Sequence, residues 1–367
     1  MARKIGIITI HNALNYGSTL QAIGLQEYLS SEGLDCKIID YQNEKINSVY
    51  NRNMNLTKAI RLALSGHIRS AYCFFKNMIL WRKQSVYGKI LKPYDRFRKK
   101  NLRLTKPIFP NNICFLNNFD AIIAGSDQIW SEIVGDDTAY YLDLPNYKGI
   151  RIAYAASGTV NSVTSNIELI KHFNYISVRE KMLQNTLCSL GITKVSLVCD
   201  PTLLCDIHFW GKYVKKSKSK TDYIFAYLMF EKPQIRSYIA YLEKKLGLPV
   251  VVLNRAEPFV ILEGKKIPAS TPKDFLSLLG NAKYVVTNSF HGTVFSALFQ
   301  KNFVSYICDY RIVSLLDDLG LSARMVHHNE ESTFDITQPI DWLDVNQKIE
   351  RFRDESKQFI KNCLDFS

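Results

Sequence analysis

The sequence predicts an α/β fold built from two Rossmann-like domains that face a cleft, with a basic helical insertion in the first. Three observations carry this prediction. Short β-branched and aromatic runs alternate with helix-period segments along nearly the whole chain. Polar loops repeatedly follow the strands, which is where doubly wound sheets bind their ligands. The 367 residues exceed one core of ordinary size, and a 47% hydrophobic content is enough to fill two. The division is expected at 1–205 and 206–367, with the insertion at 44–105 and a last helix that packs back on the first domain.

The first half opens on a buried strand at 4–10, followed by a polar loop, His11 to Ser18, a helix to about Leu29 and a strand at 36–40. This βαβ unit lacks the GxGxxG spacing of a dinucleotide site. After the insertion a strand at 120–124 leads into Gly125-Ser126-Asp127-Gln128-Ile129-Trp130, read as another polar loop. Further strands are expected at 151–155, 175–178 and 195–199. The strand at 175–178 ends in Arg179-Glu180, where an Arg opening a helix can either clamp an anion with its planar fork or pair with Glu180. Asp200-Pro201-Thr202 reads as a turn that starts the crossing between domains.

The second half repeats the pattern, with strands at 223–228 and 249–253 and helices at 234–246 and 272–279. A strand at 283–287, a helix pattern starting at Thr293 and a strand at 303–307 follow. Between strand and helix lies Asn288-Ser289-Phe290-His291-Gly292. The imidazole at a strand's carboxyl end suits either catalysis or packing. Asn288 and Ser289 suit either an anion site or a plain helix cap, and Gly292 either a turn or the close approach of a ligand. A closing helix is expected at 341–364.

The net charge of +13 is concentrated. Between Arg52 and Arg103 stand fourteen Lys or Arg against the single acid Asp95, so the remainder is close to neutral. No nucleic-acid-binding signature lies within this segment, and no nucleic-acid partner is expected. Its aliphatic and aromatic residues, from Leu62 to Trp81, suit a helix or hairpin on an anionic membrane surface, or a helical insertion with a solvated basic face.

No run of about twenty apolar residues occurs, and Met1-Ala2-Arg3-Lys4 leads straight into a strand, so the expected location is cytoplasmic. The eight cysteines form no CxxC pair, which argues against a zinc site and a disulfide framework. They are expected to be reduced and mostly buried, and no metal is expected.

Five motifs, Asn15-Tyr16-Gly17-Ser18-Thr19-Leu20-Gln21, Gly125 to Trp130, Ser177-Val178-Arg179-Glu180, Asp200-Pro201-Thr202 and Asn288 to Thr293, occur in an order that resembles the polysaccharide pyruvyltransferase family. The resemblance spans nearly the whole chain. It implies a GT-B-like fold with the active site in the cleft, phosphoenolpyruvate as donor substrate and no cofactor. The acceptor it implies is a sugar of a surface polysaccharide or its lipid-linked precursor, and the product is a pyruvate ketal across two hydroxyls. Arg179 matches the family's donor-binding arginine, and His291 the histidine of its C-terminal loop. Members with demonstrated activity can carry Arg-Leu before that histidine, whereas here Ser289-Phe290 stand there. One cationic donor contact is therefore missing or supplied from elsewhere.

The chemistry needs anion clamps and a proton shuttle. His291, with an ordinary pKa near 6.5, is the expected shuttle. Asp127 is the candidate to orient or deprotonate an acceptor hydroxyl, or else a turn-former. Asn288, Ser289, Gly292 and Thr293 are candidates for the anion cradle, and Asn15 and Gln21 for sugar hydrogen bonds. Two other functions fit the same pattern: a GT-B glycosyltransferase using a nucleotide sugar, and a non-catalytic glycan-binding or membrane-associated assembly protein. The membrane reading would place the protein peripherally on the inner face of the cell membrane.

Overall fold

The computed structural model describes residues 3–43, 45–46, 87–135, 137–216, 221–255, 258–262, 264–327 and 333–364. Two parallel sheets form its frame. The first contains β1 (Lys4–Ile8), β2 (Asp35–Ile38), β3 (Ala121–Ala124), β4 (Asp127–Trp130), β5 (Ile150–Gly158), β6 (Tyr175–Val178) and β7 (Val195–Leu197). Its order is β2-β1-β3-β5-β6-β7, with β4 also paired to β5. The second contains β8 (Ile224–Leu228), β9 (Val250–Asn254), β12 (Tyr284–Thr287), β13 (Asn302–Ile307) and β14 (Met325–His327), ordered β14-β13-β12-β8-β9. Between β9 and β12 lies an antiparallel hairpin of β10 (Phe259–Leu262) and β11 (Lys265–Pro268).

Central strands such as Ala121–Ala124 are buried throughout, because helices cover both faces of a parallel sheet and leave no solvated side. In each sheet the first strand has the second on one side and the third on the other, so the winding reverses between them. For the first sheet the reversal lies between β1 and β3, and for the second between β8 and β12. Such a reversal parts the connecting loops and opens a crevice at the strands' carboxyl ends. The motif loops after β1, β3 and β12 stand at these two points.

Helix α1 (Tyr16–Ser31) is buried from Tyr16 through Gln26, so it lies inside the molecule instead of on its surface. Tyr16 stacks on Phe275 of the second half, with ring centroids 5.5 Å apart, and its hydroxyl donates to the Ala269 carbonyl. A single apolar cluster runs from Ile5, Leu20 and Leu25 to Phe225, Phe275 and Val345, joining the two sheets' layers. The last helix in sequence buries Val345, Ile349, Ser356 and Ile360 at helical spacing. It meets first-half groups: Arg353 Nε donates to Leu203 O at 2.5 Å, and Cys199 N to Ser356 Oγ at 2.8 Å.

Residues 52–86, most of the segment expected to meet a membrane, lie outside the described residues. Its returning helix, α2 (Lys92–Asn101), is described and turns Tyr94 and Arg98 inward. The Tyr94 hydroxyl donates to the Asn15 carbonyl at 2.7 Å, and Arg98 lies 3.4 Å from Asp40. The insertion is thereby tied to the loop after β1.

Three differences from the sequence expectation bear on the site. The helix after β12 begins at Phe290, not at Thr293, because Ser289 caps it by accepting from Gly292 N at 3.3 Å; His291 therefore sits in the first helical turn. Tyr16 already belongs to α1, capped by Asn15. The run after Gly125 is the short strand β4, with its indole buried, and not a loop.

Candidate active site

Loops from both sheets converge on one buried group of charges. From the first sheet come Asp127, Arg179 and Asp200, each no more than 5% exposed. Arg179 opens α3 (Lys181–Ser189) after β6. Its Nη1 donates to Asp200 Oδ2 at 2.6 Å and its Nη2 to Asp127 Oδ1 at 3.2 Å. Its Nε lies 3.8 Å from Glu180 Oε2, and neither atom has a hydrogen-bond partner among the described residues. Ser18 at the start of α1 donates to the other Asp127 oxygen.

The backbone that aims Asp127 is unusual. Gly125 has a φ of 127°, and a Cβ there would run into the Tyr154 carbonyl, so glycine is required. Asp127 itself has a φ of 74°, in the left-handed region that Asp tolerates better than most residues. Conformations of this kind persist where surrounding contacts over-determine them, and here Ser18 and Arg179 hold the carboxylate.

The second sheet supplies Phe290 and His291 at the start of α4 (Phe290–Leu298). The Arg179 guanidinium lies over the Phe290 ring, 4.5 Å from its centroid, and Arg311 lies 5.8 Å from the same centroid. His291 Nε2 is 3.7 Å from Asp200 Oδ2, is buried, and has no hydrogen-bond partner among the described residues. The other edge of the imidazole packs on Gly17, where an added Cβ would overlap the ring. Gly17 therefore permits the first turn of α1 to touch the first turn of α4 across the two halves.

These groups tune one another. Burial lowers the His291 pKa below its ordinary value, although Asp200 and Asp127 pull it upward. The imidazole is neutral near pH 7. Burial opposes the charge on Asp127 and Asp200, but Arg179, joined by His291 wherever the imidazole is protonated, prevails and holds both carboxyls below the usual range. Burial pushes Glu180 up, with Arg179 and Arg311 opposing. The cluster thus holds two ionised carboxylates, one carboxyl biased towards protonation, and a neutral imidazole with a free nitrogen.

Of the residues singled out in the sequence, the structure brings together His291, Asp127 and Arg179. It engages the others in the protein's own bonds. Asn288 accepts from Met229 N at 2.7 Å and donates to Phe230 O at 2.9 Å, tying the end of β12 to the end of β8. Ser289 is the helix cap, and a Cβ on Gly292 would collide with Thr287, so that glycine serves packing. Thr293 bonds Ser289 O at 3.0 Å and Ser305 Oγ at 2.7 Å. Asn15 caps α1, accepting from Gly17 N at 3.1 Å. Gln21 donates to Thr9 Oγ1 at 2.8 Å and is wholly buried.

Sequence reasoning missed Asp200, Glu180, Ser18 and Arg311. Asp200 does form the expected turn, accepting from Thr202 N at 3.0 Å with one oxygen, but its other oxygen faces Arg179 and His291. Its place in a motif was the only available signal. Arg311 carried no signal, since only the folding of two adjacent strands sets it beside Phe290.

Two parallel sheets with their winding reversals turned to one site define a GT-B-like α/β fold. Solved structures bear this out at the level of fold. The UDP-GlcNAc 2-epimerase from Methanocaldococcus jannaschii superposes with a TM-score of 0.52 and 11% identity, covering 99% of this chain and 100% of that one. A putative UDP-N-acetylglucosamine 2-epimerase from Listeria monocytogenes gives a TM-score of 0.50 and 9% identity, covering 98% and 90%. No curated protein sequence matches the chain significantly. The profile of the polysaccharide pyruvyl transferase family matches residues 15–310, and the chain belongs to that family. It is a transferase.

Proposed function

We propose that the protein transfers pyruvate from phosphoenolpyruvate to two hydroxyls of one sugar in a polysaccharide or its lipid-linked precursor, forming a ketal. The observation that carries this reading is the unpartnered, buried His291 Nε2 beside ionised Asp200 and Asp127. A neutral imidazole with a free nitrogen can move protons near neutrality. Protonation of the donor's methylene carbon makes the adjacent carbon electrophilic, and one sugar hydroxyl adds there. The second hydroxyl then displaces phosphate. One hydroxyl proton is balanced by the new methyl group and the other by the departing phosphate, so no redox cofactor is required.

In this scheme His291 takes the proton of the first acceptor hydroxyl and delivers it to the donor's methylene carbon, then takes that of the second hydroxyl and delivers it to the departing phosphate, while Asp200 and Asp127 stabilise the imidazolium in between. Asp127 also orients the hydroxyl. Arg179 works chiefly as a positioning residue, since its two Nη groups hold the carboxylates, and only its Nε remains for the donor. The basic segment 52–103 holds the enzyme at an anionic membrane on the cytoplasmic side, close to a lipid-linked acceptor. Binding to anionic vesicles that weakens with salt supports that part, and equal binding to neutral vesicles rejects it.

The deciding experiment is a thermal-shift series with phosphoenolpyruvate, UDP, CDP and GDP, followed by detection of phosphate release on addition of acceptor. Stabilisation by phosphoenolpyruvate alone is expected. Stabilisation by a nucleoside diphosphate and none by phosphoenolpyruvate would overturn the proposal.

A further inference from the structure

An anionic donor needs a cation that the protein has not already neutralised. The carboxyls that face the site are Asp127, Glu180, Asp200 and Asp309, and the arginines among them are Arg179 and Arg311. Arg179 is divided between Asp127 and Asp200, with its side chain only 1% exposed. Releasing it would strand two buried carboxylates, which is severely unfavourable. Ser289 and Phe290, the residues before His291, bring no positive charge.

Arg311 is differently placed. It lies in the first turn of the helix Tyr310–Asp318, which follows β13, the neighbour of β12. Its single ion-pair partner among the described residues is Asp309, two positions earlier, reached by Nη2 at 2.5 Å. The two side chains are 17% and 30% exposed. Asp309 Oδ1 separately caps the helix by accepting from Arg311 N at 3.0 Å, so only Oδ2 has to give up the guanidinium, and a partly exposed carboxylate can take water there instead of becoming a buried, unpaired charge. The guanidinium meanwhile keeps its position beside Phe290, whose ring also carries Arg179. The unpartnered Nε2 of buried His291 is an independent sign that a ligand group belongs in this cluster.

We propose that Arg311 is the donor-binding cation of this enzyme: it exchanges Asp309 for the anionic oxygens of phosphoenolpyruvate and uses Phe290 as the platform that holds its fork. The inference rests on the pyruvyl-transfer reading above. Asp309 acts as a placeholder that neutralises Arg311 until the donor arrives, while Arg179 remains with its carboxylates.

Calorimetric titration of the full chain with phosphoenolpyruvate tests this. Arg311→Met should weaken binding roughly ten- to a hundredfold, the usual scale for a hydrogen-bonded charge, and Arg311→Lys should recover part of it. Asp309→Asn keeps a helix-capping side chain but removes the competitor, so it should bind as tightly as wild type or tighter. A merely structural ion pair would weaken binding in both variants. A folded Arg311→Met protein with wild-type affinity, or an Asp309→Asn protein that loses affinity, overturns the inference. If Arg311→Met does not fold, the Asp309→Asn affinity decides alone. A wild-type protein that binds UDP but no phosphoenolpyruvate defeats the pyruvyl-transfer reading itself, whereas wild-type binding with an unaffected Arg311→Met defeats only the role of Arg311.

Discussion

The two sheets bring unlike chemistry to one site. The first contributes Asp127, Glu180 and Asp200 with an arginine already committed to two of them, a rigid and fully buried arrangement. The second contributes an imidazole with a free nitrogen, an aromatic ring and, at the edge, an arginine with a single partly exposed partner. The difference teaches that position along the motifs does not reveal which charge is available. Arg179 carries the motif, yet its fork is occupied, so it supports the site more than it captures a ligand.

The sharpest way to break this contrast is His291→Ala. If the second sheet supplies the proton shuttle, turnover should fall roughly a hundredfold to ten-thousandfold while the melting temperature barely moves. A folded variant with wild-type turnover would remove His291 from the mechanism. Arg179→Ala should act mainly on the fold, because it leaves Asp127 and Asp200 as buried, uncompensated charges. A loss of about 3–5 kcal/mol in urea unfolding is expected. Wild-type stability, with only donor affinity lost, would show instead that Arg179 is the clamp.

Gly17→Ala probes the seam between the halves. Its methyl would overlap the His291 ring, so stability should fall by about 1–3 kcal/mol, with turnover falling as the imidazole is displaced. An unchanged activity would mean that the two first turns are not held together during catalysis.

The smallest effect concerns pH. Burial lowers His291 from its ordinary 6.5, so the unfolded chain takes up that proton before the folded one as pH falls. Its contribution to stability is present above about pH 6.5 and is lost as pH falls from there through the depressed folded value. Wild type should therefore lose more stability than His291→Asn between pH 7 and 5. The acid limb of kcat/KM should also lie below pH 6.5. A limb at or above 6.5 would indicate that Asp200 and Asp127 outweigh burial.

Much of the fold was legible because its signals are local. Buried parallel strands such as 121–124 are runs of apolar residues, and the closing helix shows its face at helical spacing. The start of α4 was misplaced because Ser289 can cap a helix or remain in a loop, and the apolar pattern becomes periodic only after Gly292. The strand Met325–His327 was invisible, since three residues carry too little pattern. Within the site, His291, Asp127 and Arg179 were found through their place after strands, while Arg311 was not.

By itself, the sequence determined the alternation of strands and helices, the motif loops and the concentration of charge between Arg52 and Arg103, because each depends on neighbours along the chain. The tertiary structure alone decided which of those polar residues are engaged and which remain open. Asn288, Thr293 and Gln21 satisfy the protein's own donors and acceptors, whereas Asp200 and Arg311 reach the site from a turn and a helix start whose local sequence does not reveal the partners that folding gives them. The physical reason is that availability is a property of the surrounding shell. A side chain's charge is written in its residue type, but burial and the partners around it are set by segments as far apart as Gly17 and His291.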